Sequence, residues 1–353
     1  MRERIVRAAM AIFAALCIAG PSPAWGQSPA VNPASAEAAK AQQKQQVEQP
    51  LNNQPLWKEI RSGVPQLTSI RGPETNVLIQ PQGETWRALR NGWVSVWAGW
   101  ALVAMLAIIA IYFMMRGTLQ LHTPKTGRNV RRFTAWERSI HWATAISFSI
   151  LAISGLIIVF GKNVLLPLIG YTLFSWLAIL AKNLHNFVGP LFVVCVILLF
   201  FTFVRDNLWR AHDFTWISRF GGLFGDKDVP SDKFNGGEKL WFWGGLLVCG
   251  VIVSASGLIL DFPNFAQTRS TMQIANIVHL AVASLFMVVG LGHIYMGTIG
   301  MAGAYDAMRT GYVDEAWAKE HHEYWYNDIK AGKIPAAVEG MPEAAPELKQ
   351  HPA

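Results

Sequence analysis

The chain has 353 residues, of which 52% are hydrophobic and 15% charged, and it carries a formal charge of +7. That apolar fraction, with a positive mean hydropathy, excludes an ordinary soluble domain and predicts a polytopic membrane protein. The basic residues cluster beside apolar runs rather than forming a stripe for nucleic acid, and three cysteines without a CxxC or CxxCH pair exclude disulfide scaffolds, iron–sulfur clusters and zinc ribbons.

Arg2, Arg4 and Arg7 precede an apolar run, Ala8 to Ala19, that is too short to cross a bilayer and ends in Pro21-Ser22-Pro23-Ala24-Trp25-Gly26. This pattern predicts a signal peptide over residues 1–26, cleaved after Gly26 and taking Cys17 with it. Residues 27–92 read as an extracytoplasmic segment. Its first half, to about Gln54, is rich in Ala, Gln, Pro and Glu and has too few large apolar residues to offset its ordering entropy, so disorder is expected. From Leu56 to Asn91 apolar and aromatic residues return, with Gly63, Gly72 and Gly83 as turn points, which predicts a small ordered segment.

Five runs then reach the length needed to cross ~30 Å of hydrocarbon: about Trp93 to Met115, His141 to Phe160, Leu184 to Val204, Trp241 to Leu260 and Ile274 to Gly297. The expected fold is all-α: a four-helix transmembrane bundle over residues 116–300, one extra N-terminal transmembrane helix over 93–115, and a tail over 301–353. Arg116, Lys125, Arg128, Arg131, Arg132 and Arg138 crowd one loop, and Arg205, Arg210, Arg219, Lys227, Lys233 and Lys239 another. The positive-inside rule places both loops and the tail in the cytoplasm of a bacterial inner-membrane protein, with the N-terminal segment periplasmic, in agreement with signal cleavage. Trp93, Trp97, Trp100, Trp241 and Trp243 lie at span ends and read as interface anchors. Ile153-Ser154-Gly155-Leu156-Ile157 recurs as Ala255-Ser256-Gly257-Leu258-Ile259, each copy closing a span that a histidine-bearing span follows. No histidine near Trp241 corresponds to His141, so this echo is weak support for a duplication.

Of nine histidines, His141, His185, His279 and His293 fall within or at the edges of spans, where an ionisable group needs a partner. His279 and His293 are fourteen residues apart, which on a helix returns the side chain to within roughly 40° of its face and about 21 Å along the axis. Depth pairs His185 with His279 near the outer surface and His141 with His293 near the inner one. Each pair could ligate one of two stacked haems, and bis-histidine ligation closes both axial positions, which suits electron transfer. Small residues near these histidines, Gly155, Gly189, Gly257, Gly290 and Gly292, would admit a flat macrocycle or a close backbone. Arg138 precedes His141 by one turn and could bond a propionate or serve only the charge bias. Cys195 and Cys249 read as core residues, and His122, His212, His321, His322 and His351 as surface residues.

At Glu137-Arg138-Ser139-Ile140-His141-Trp142, Asn183-Leu184-His185-Asn186-Phe187, Ile277-Val278-His279-Leu280-Ala281 and Gly292-His293-Ile294-Tyr295-Met296 the chain resembles the gamma, cytochrome b556 subunits of respiratory formate dehydrogenases. The resemblance continues through Lys233-Phe234-Asn235-Gly236-Gly237-Glu238-Lys239 and through Trp317-Ala318-Lys319-Glu320-His321-His322-Glu323-Tyr324-Trp325-Tyr326. It implies two haem b groups held by His141 with His293 and by His185 with His279, and a pocket for menaquinone or ubiquinone at Asn235, Gly237, Glu238 and His293. The family pattern expects Gln at the position of Glu238, and Asn235-Gly236-Gly237 also reads as a turn and helix cap. The implied partners are membrane lipid, an iron–sulfur beta subunit and a molybdenum or tungsten catalytic alpha subunit, with no formate-oxidising site in this chain. A higher-order oligomer of that complex is left open. The alternatives are a cytochrome b subunit of a nickel-iron hydrogenase or another respiratory reductase and, from other classes, a haem-free anchor or a transporter.

Overall fold

The computed structural model describes a subset of residues between 37 and 62, then residues 82–222, 229–265 and 267–334. The predicted signal peptide, most of the predicted spacer after it, Gly63, Gly72 and His351 therefore lie outside the described residues. The chain divides into two units, residues 1–81 and 82–353. In the first, the short helix α1 (Gln54–Arg61) puts Lys58 and Arg61 in its last turn.

Among its described residues the second unit contains five helices long and apolar enough to cross a membrane: α2 (Gly83–Arg116), α3 (Ala135–Val164), α4 (Leu166–Phe203), α6 (Gly236–Asp261) and α7 (Arg269–Gly300), with the short α5 (Ala211–Ser218) between α4 and α6. The protein is thus an all-α, multi-pass membrane protein. Each span is longer than its apolar run, because polar residues cap and extend it. Thr134 accepts a hydrogen bond from the Glu137 amide at 3.3 Å, and Glu137 accepts one from the Thr134 amide at 2.7 Å, a reciprocal cap that starts α3. Asn235 and Glu238 start α6 in the same way, with both bonds at 2.9 Å. Thr268 accepts the Thr271 amide at 3.1 Å and starts α7.

The largest departure from the apolar pattern is in α4, which begins not at Leu184 but at Leu166, eighteen residues earlier. Pro167 opens it, Gly170 breaks it at φ 76°, a backbone conformation that glycine alone adopts without cost, and the chain is then helical to Phe203. From Tyr171 to Phe203 it measures about 50 Å, more than the ~30 Å hydrocarbon layer.

α3 packs along α4, α6 against both α4 and α7, and α2 against α7. Tyr112 and Phe113 of α2 meet Tyr295 edge-on at 6.2 and 6.5 Å, so the extra helix lies beside the last helix of a four-helix core. Large apolar side chains such as Trp97, Ile108, Ile153, Phe187, Phe201 and Leu285 point outward, as a lipid-facing surface requires. Midway along the bundle, Phe148, Phe192 and Phe286 form a contact layer, with ring separations of 4.8 to 6.3 Å. Cys195 and Cys249 are free and buried in the core, as expected.

At the basic end, where α3 and α6 begin, the tail folds back under the bundle. β1 (Asn129–Arg131) pairs antiparallel with β2 (Tyr312–Asp314), aligning Val130 with Val313. Around them lie α8 (Ala304–Arg309), α9 (Glu315–His321) and α10 (Glu323–Lys330). The Ser231 hydroxyl donates to the His321 carbonyl at 2.7 Å, and the Tyr324 amide to the Ser231 carbonyl at 3.1 Å. This docking corrects the expectation for His322, which is 1% exposed rather than on the surface, its Nδ1–H donating to the Asp232 carbonyl at 2.6 Å. Complete burial, with Arg132 nearby, holds its pKa well below the usual histidine value. His212 is half-buried, with Nε2 3.0 Å from Asp232.

Candidate haem sites

Two histidine pairs meet in the bundle. His185 of α4 faces His279 of α7 with ring centroids 6.1 Å apart, and His141 of α3 faces His293 of α7 at 6.3 Å. A metal ion bonded at about 2 Å to each of two facing imidazoles places ring centres about 6 Å apart. Both separations fit that arrangement.

Among the described residues no group of three or more His, Cys, Asp or Glu side chains could hold a bare metal ion. Each site therefore offers two nitrogens and leaves the remaining positions to a cofactor that brings its own equatorial donors, as haem does. Among the described residues the buried Nδ1 of His141 has no hydrogen-bond partner, and neither has the buried Nε of Arg138.

The His185–His279 pair is held from behind. Ser154 Oγ lies 2.9 Å from His185 Nδ1, and Ser256 Oγ 3.1 Å from His279 Nδ1. The neighbouring glycines let the rings come this close: a Cβ on Gly155 would stand 3.3 Å from His185 Cε1, and one on Gly257 3.1 Å from His279 Cε1. The repeated Ser-Gly of the sequence thus has a physical meaning, since each copy supports the histidine of the span that follows.

The His141–His293 pair is built differently. Trp241, expected as an interface anchor, instead stacks on His293 at 4.9 Å with the planes 12° from parallel. Its indole folds back over Gly245, where a Cβ would lie 2.3 Å from the ring, so only a bare glycine admits it. Trp93, Trp97 and Trp100 are exposed, as anchors at a membrane interface would be. Trp243 is instead tied to the bundle, donating to the Asn207 carbonyl at 2.8 Å.

Of the remaining predicted site residues, Asn235 and Glu238 form the reciprocal cap of α6, and Glu238 also pairs with Arg132 at 3.0 Å. Gly237 packs on Trp216, whose ring leaves 2.8 Å for a Cβ there. Arg138 Nη1 donates to the Arg309 carbonyl at 2.8 Å. Arg132 is buried with its guanidinium over Phe133, Phe234 and Trp317, and donates to the Lys233 carbonyl at 2.7 Å. Beside it Lys239 and Asp213 form a buried ion pair at 2.7 Å. Sequence reasoning missed Trp241, Ser154, Ser256 and the Phe148–Phe192–Phe286 layer as parts of these sites. One signal was visible for the layer: Phe148, Phe192 and Phe286 each stand seven residues after a span histidine, and Phe286 also stands seven before His293.

A bundle of apolar helices carrying two facing histidine pairs is the architecture of a membrane cytochrome b. Residues 132–311 match the family described as prokaryotic cytochrome b561, and the chain belongs to that family. Among its relatives is the formate dehydrogenase cytochrome b556(fdo) subunit of Escherichia coli K12, 33% identical over 203 residues, which span 56% of this chain and 92% of the relative. The nitrate-inducible cytochrome b556(Fdn) subunit of the same organism is 27% identical over 205 residues, 55% of this chain and 88% of the relative. The formate dehydrogenase cytochrome b556 subunit of Haemophilus influenzae is 27% identical over 208 residues, 56% and 82% of the two chains. The resemblance noted around the histidines is therefore to the right group of proteins.

Proposed function

We propose that the chain is the di-haem b membrane subunit of a formate dehydrogenase, carrying electrons from an iron–sulfur subunit on the outer face to quinone on the cytoplasmic side. The observation that carries this reading is the geometry of α7: one helix presents His279 and His293 about 21 Å apart, each facing a histidine from another helix at about 6 Å. Haem b held by each pair of imidazoles would supply one-electron exchange. His185 and His279 hold the outer group and His141 and His293 the inner one. The unpartnered Nε of Arg138 is a donor for a propionate beside the inner pair. The layer of Phe148, Phe192 and Phe286 puts apolar rings between the two sites.

Near the inner pair the Asn235–Gly237–Glu238 turn is partly exposed, Glu238 to one-third in its side chain, which leaves it open to quinone and the carboxylate open to proton exchange. The basic loops support a cytoplasmic position for this end and for the tail, and the inner membrane as the location. The relatives' names, which make them cytochrome subunits of formate dehydrogenase, support the rest of such an enzyme as the partner; in this reading its molybdenum or tungsten catalytic subunit and iron–sulfur subunit lie on the outer face, on the side of residues 27–92. Menaquinone and ubiquinone both fit.

The test is a reduced-minus-oxidised spectrum of membranes carrying the parent chain, His279→Ala or His293→Ala. The parent should show two reducible b-type haems, and each substitution should remove one of them. A parent without b-type absorbance, or variants that keep both haems, would refute the reading.

A further inference from the structure

The two histidine pairs differ in what stands behind the rings. Ser154 donates its hydroxyl proton to the Leu151 carbonyl at 3.2 Å, and Ser256 donates to the Ile252 carbonyl at 2.6 Å. A hydroxyl has one proton, so each serine oxygen is left to accept from the imidazole beside it. The Val253 carbonyl also lies 3.1 Å from His279 Nδ1, and a carbonyl has no proton to give. The hydrogen in these contacts therefore sits on Nδ1, and Nε2 keeps the lone pair that a metal needs. The other pair is built differently: among the described residues the buried His141 Nδ1 has no hydrogen-bond partner, and His293 lies against the face of Trp241.

We propose that Ser154 and Ser256 are positioning residues that set the tautomer and basicity of His185 and His279, holding the reduction potential at that pair below that at His141–His293. This inference rests on the two-haem reading above. Accepting a hydrogen bond from Nδ1–H makes an imidazole a stronger donor, which favours ferric over ferrous iron. The order of potentials then runs downhill for electrons from the His185–His279 end to the His141–His293 end. The pairing of each serine with a glycine explains why the echo between the spans covers this motif and no histidine: it repeats the support of a ring, not the ring itself.

Spectroelectrochemistry of the full complex tests the assignment, using His279→Ala to identify which midpoint belongs to which pair. Ser154→Ala and Ser256→Ala should each raise the His185–His279 midpoint by a threefold to tenfold change in the reduction equilibrium, tenfold being about 59 mV for one electron. The other midpoint should not move. Ser149→Ala, which alters an exposed serine bonded only to the Ala145 carbonyl, should move neither. Threonine at 154 or 256 keeps the hydroxyl and should keep the parent midpoint. A Ser154→Ala/Ser256→Ala double variant with both haems at parent midpoints overturns the proposal. Should alanine cost the haem itself, the threonine variants decide: retention at the parent midpoint supports the role, and loss or an alanine-like shift overturns it. A parent chain lacking two reducible haems would instead sink the functional reading on which the proposal rests.

Discussion

Trp241 lies flat on His293, the two ring centres 4.9 Å apart. Such stacking is worth about 1 kcal/mol beyond burial and restrains rotation of the imidazole. Trp241→Ala is expected to lower occupancy of the His141–His293 site while sparing the other, and Trp241→Phe to retain most of it. Haem-to-protein ratios of the purified variants check this; an alanine variant with the parent's full haem content would remove the restraining role.

The phenylalanine layer makes a stability prediction. Phe286 is 3% exposed and touches both Phe148 and Phe192. Phe286→Ala should cost about 3 kcal/mol through the cavity it leaves, and Phe286→Leu less than half of that. Thermal melting in detergent, followed by absorbance, measures the difference. Equal melting of the alanine variant and the parent would mean that the ring is not packed as described.

Glu238 serves a helix cap and an ion pair at once. Glutamine can still accept the Asn235 amide, but it leaves Arg132, only 4% exposed in its side chain, without a counter-charge. Glu238→Gln should destabilise the fold by about 2 kcal/mol, less than for a fully buried pair because Glu238 is one-third exposed. A double variant, Arg132→Gln with Glu238→Gln, should lose less than the two single losses combined. Additive losses would show that the pair is not coupled.

Burial of neutral His322 predicts a pH dependence with a definite sign. Its folded-state pKa is depressed, so the unfolded chain binds the proton more readily. Stability is therefore complete above the ordinary value of 6.5 and falls as the pH drops from there toward the depressed one. His322→Gln, which cannot charge, should flatten the change in melting temperature between pH 7.5 and pH 5.5. If the parent melts alike at both, the imidazole does not stay neutral in the folded tail.

Much of this architecture was legible because hydrocarbon imposes strong constraints. The fourteen-residue interval from His279 to His293 implied a shared face and a separation in depth, and the structure brings together the same four histidines in the same two pairs. What escaped was set by packing and bonding partners that the apolar pattern does not display. Trp241 looked like any span-end tryptophan until Gly245 and His293 gave it a seat inside the bundle. His322 looked like a polar-tail residue until the tail docked on Ser231 and Asp232. The start of α4 was hidden because Lys182 and Asn183 interrupt the apolar pattern without interrupting the helix; the Lys182 ammonium simply bonds Asn186 one turn on, at 2.7 Å.

The closeness of Gly155 and Gly257 to their imidazoles also bears on how such a chain can drift. At these two positions even a methyl group would press a ring aside by a few tenths of an ångström, whereas Gly92 and Gly244 have no described atom within 4 Å of an added carbon. Random mutagenesis scored by haem retention should therefore accept alanine freely at the latter two and reject it at the former two.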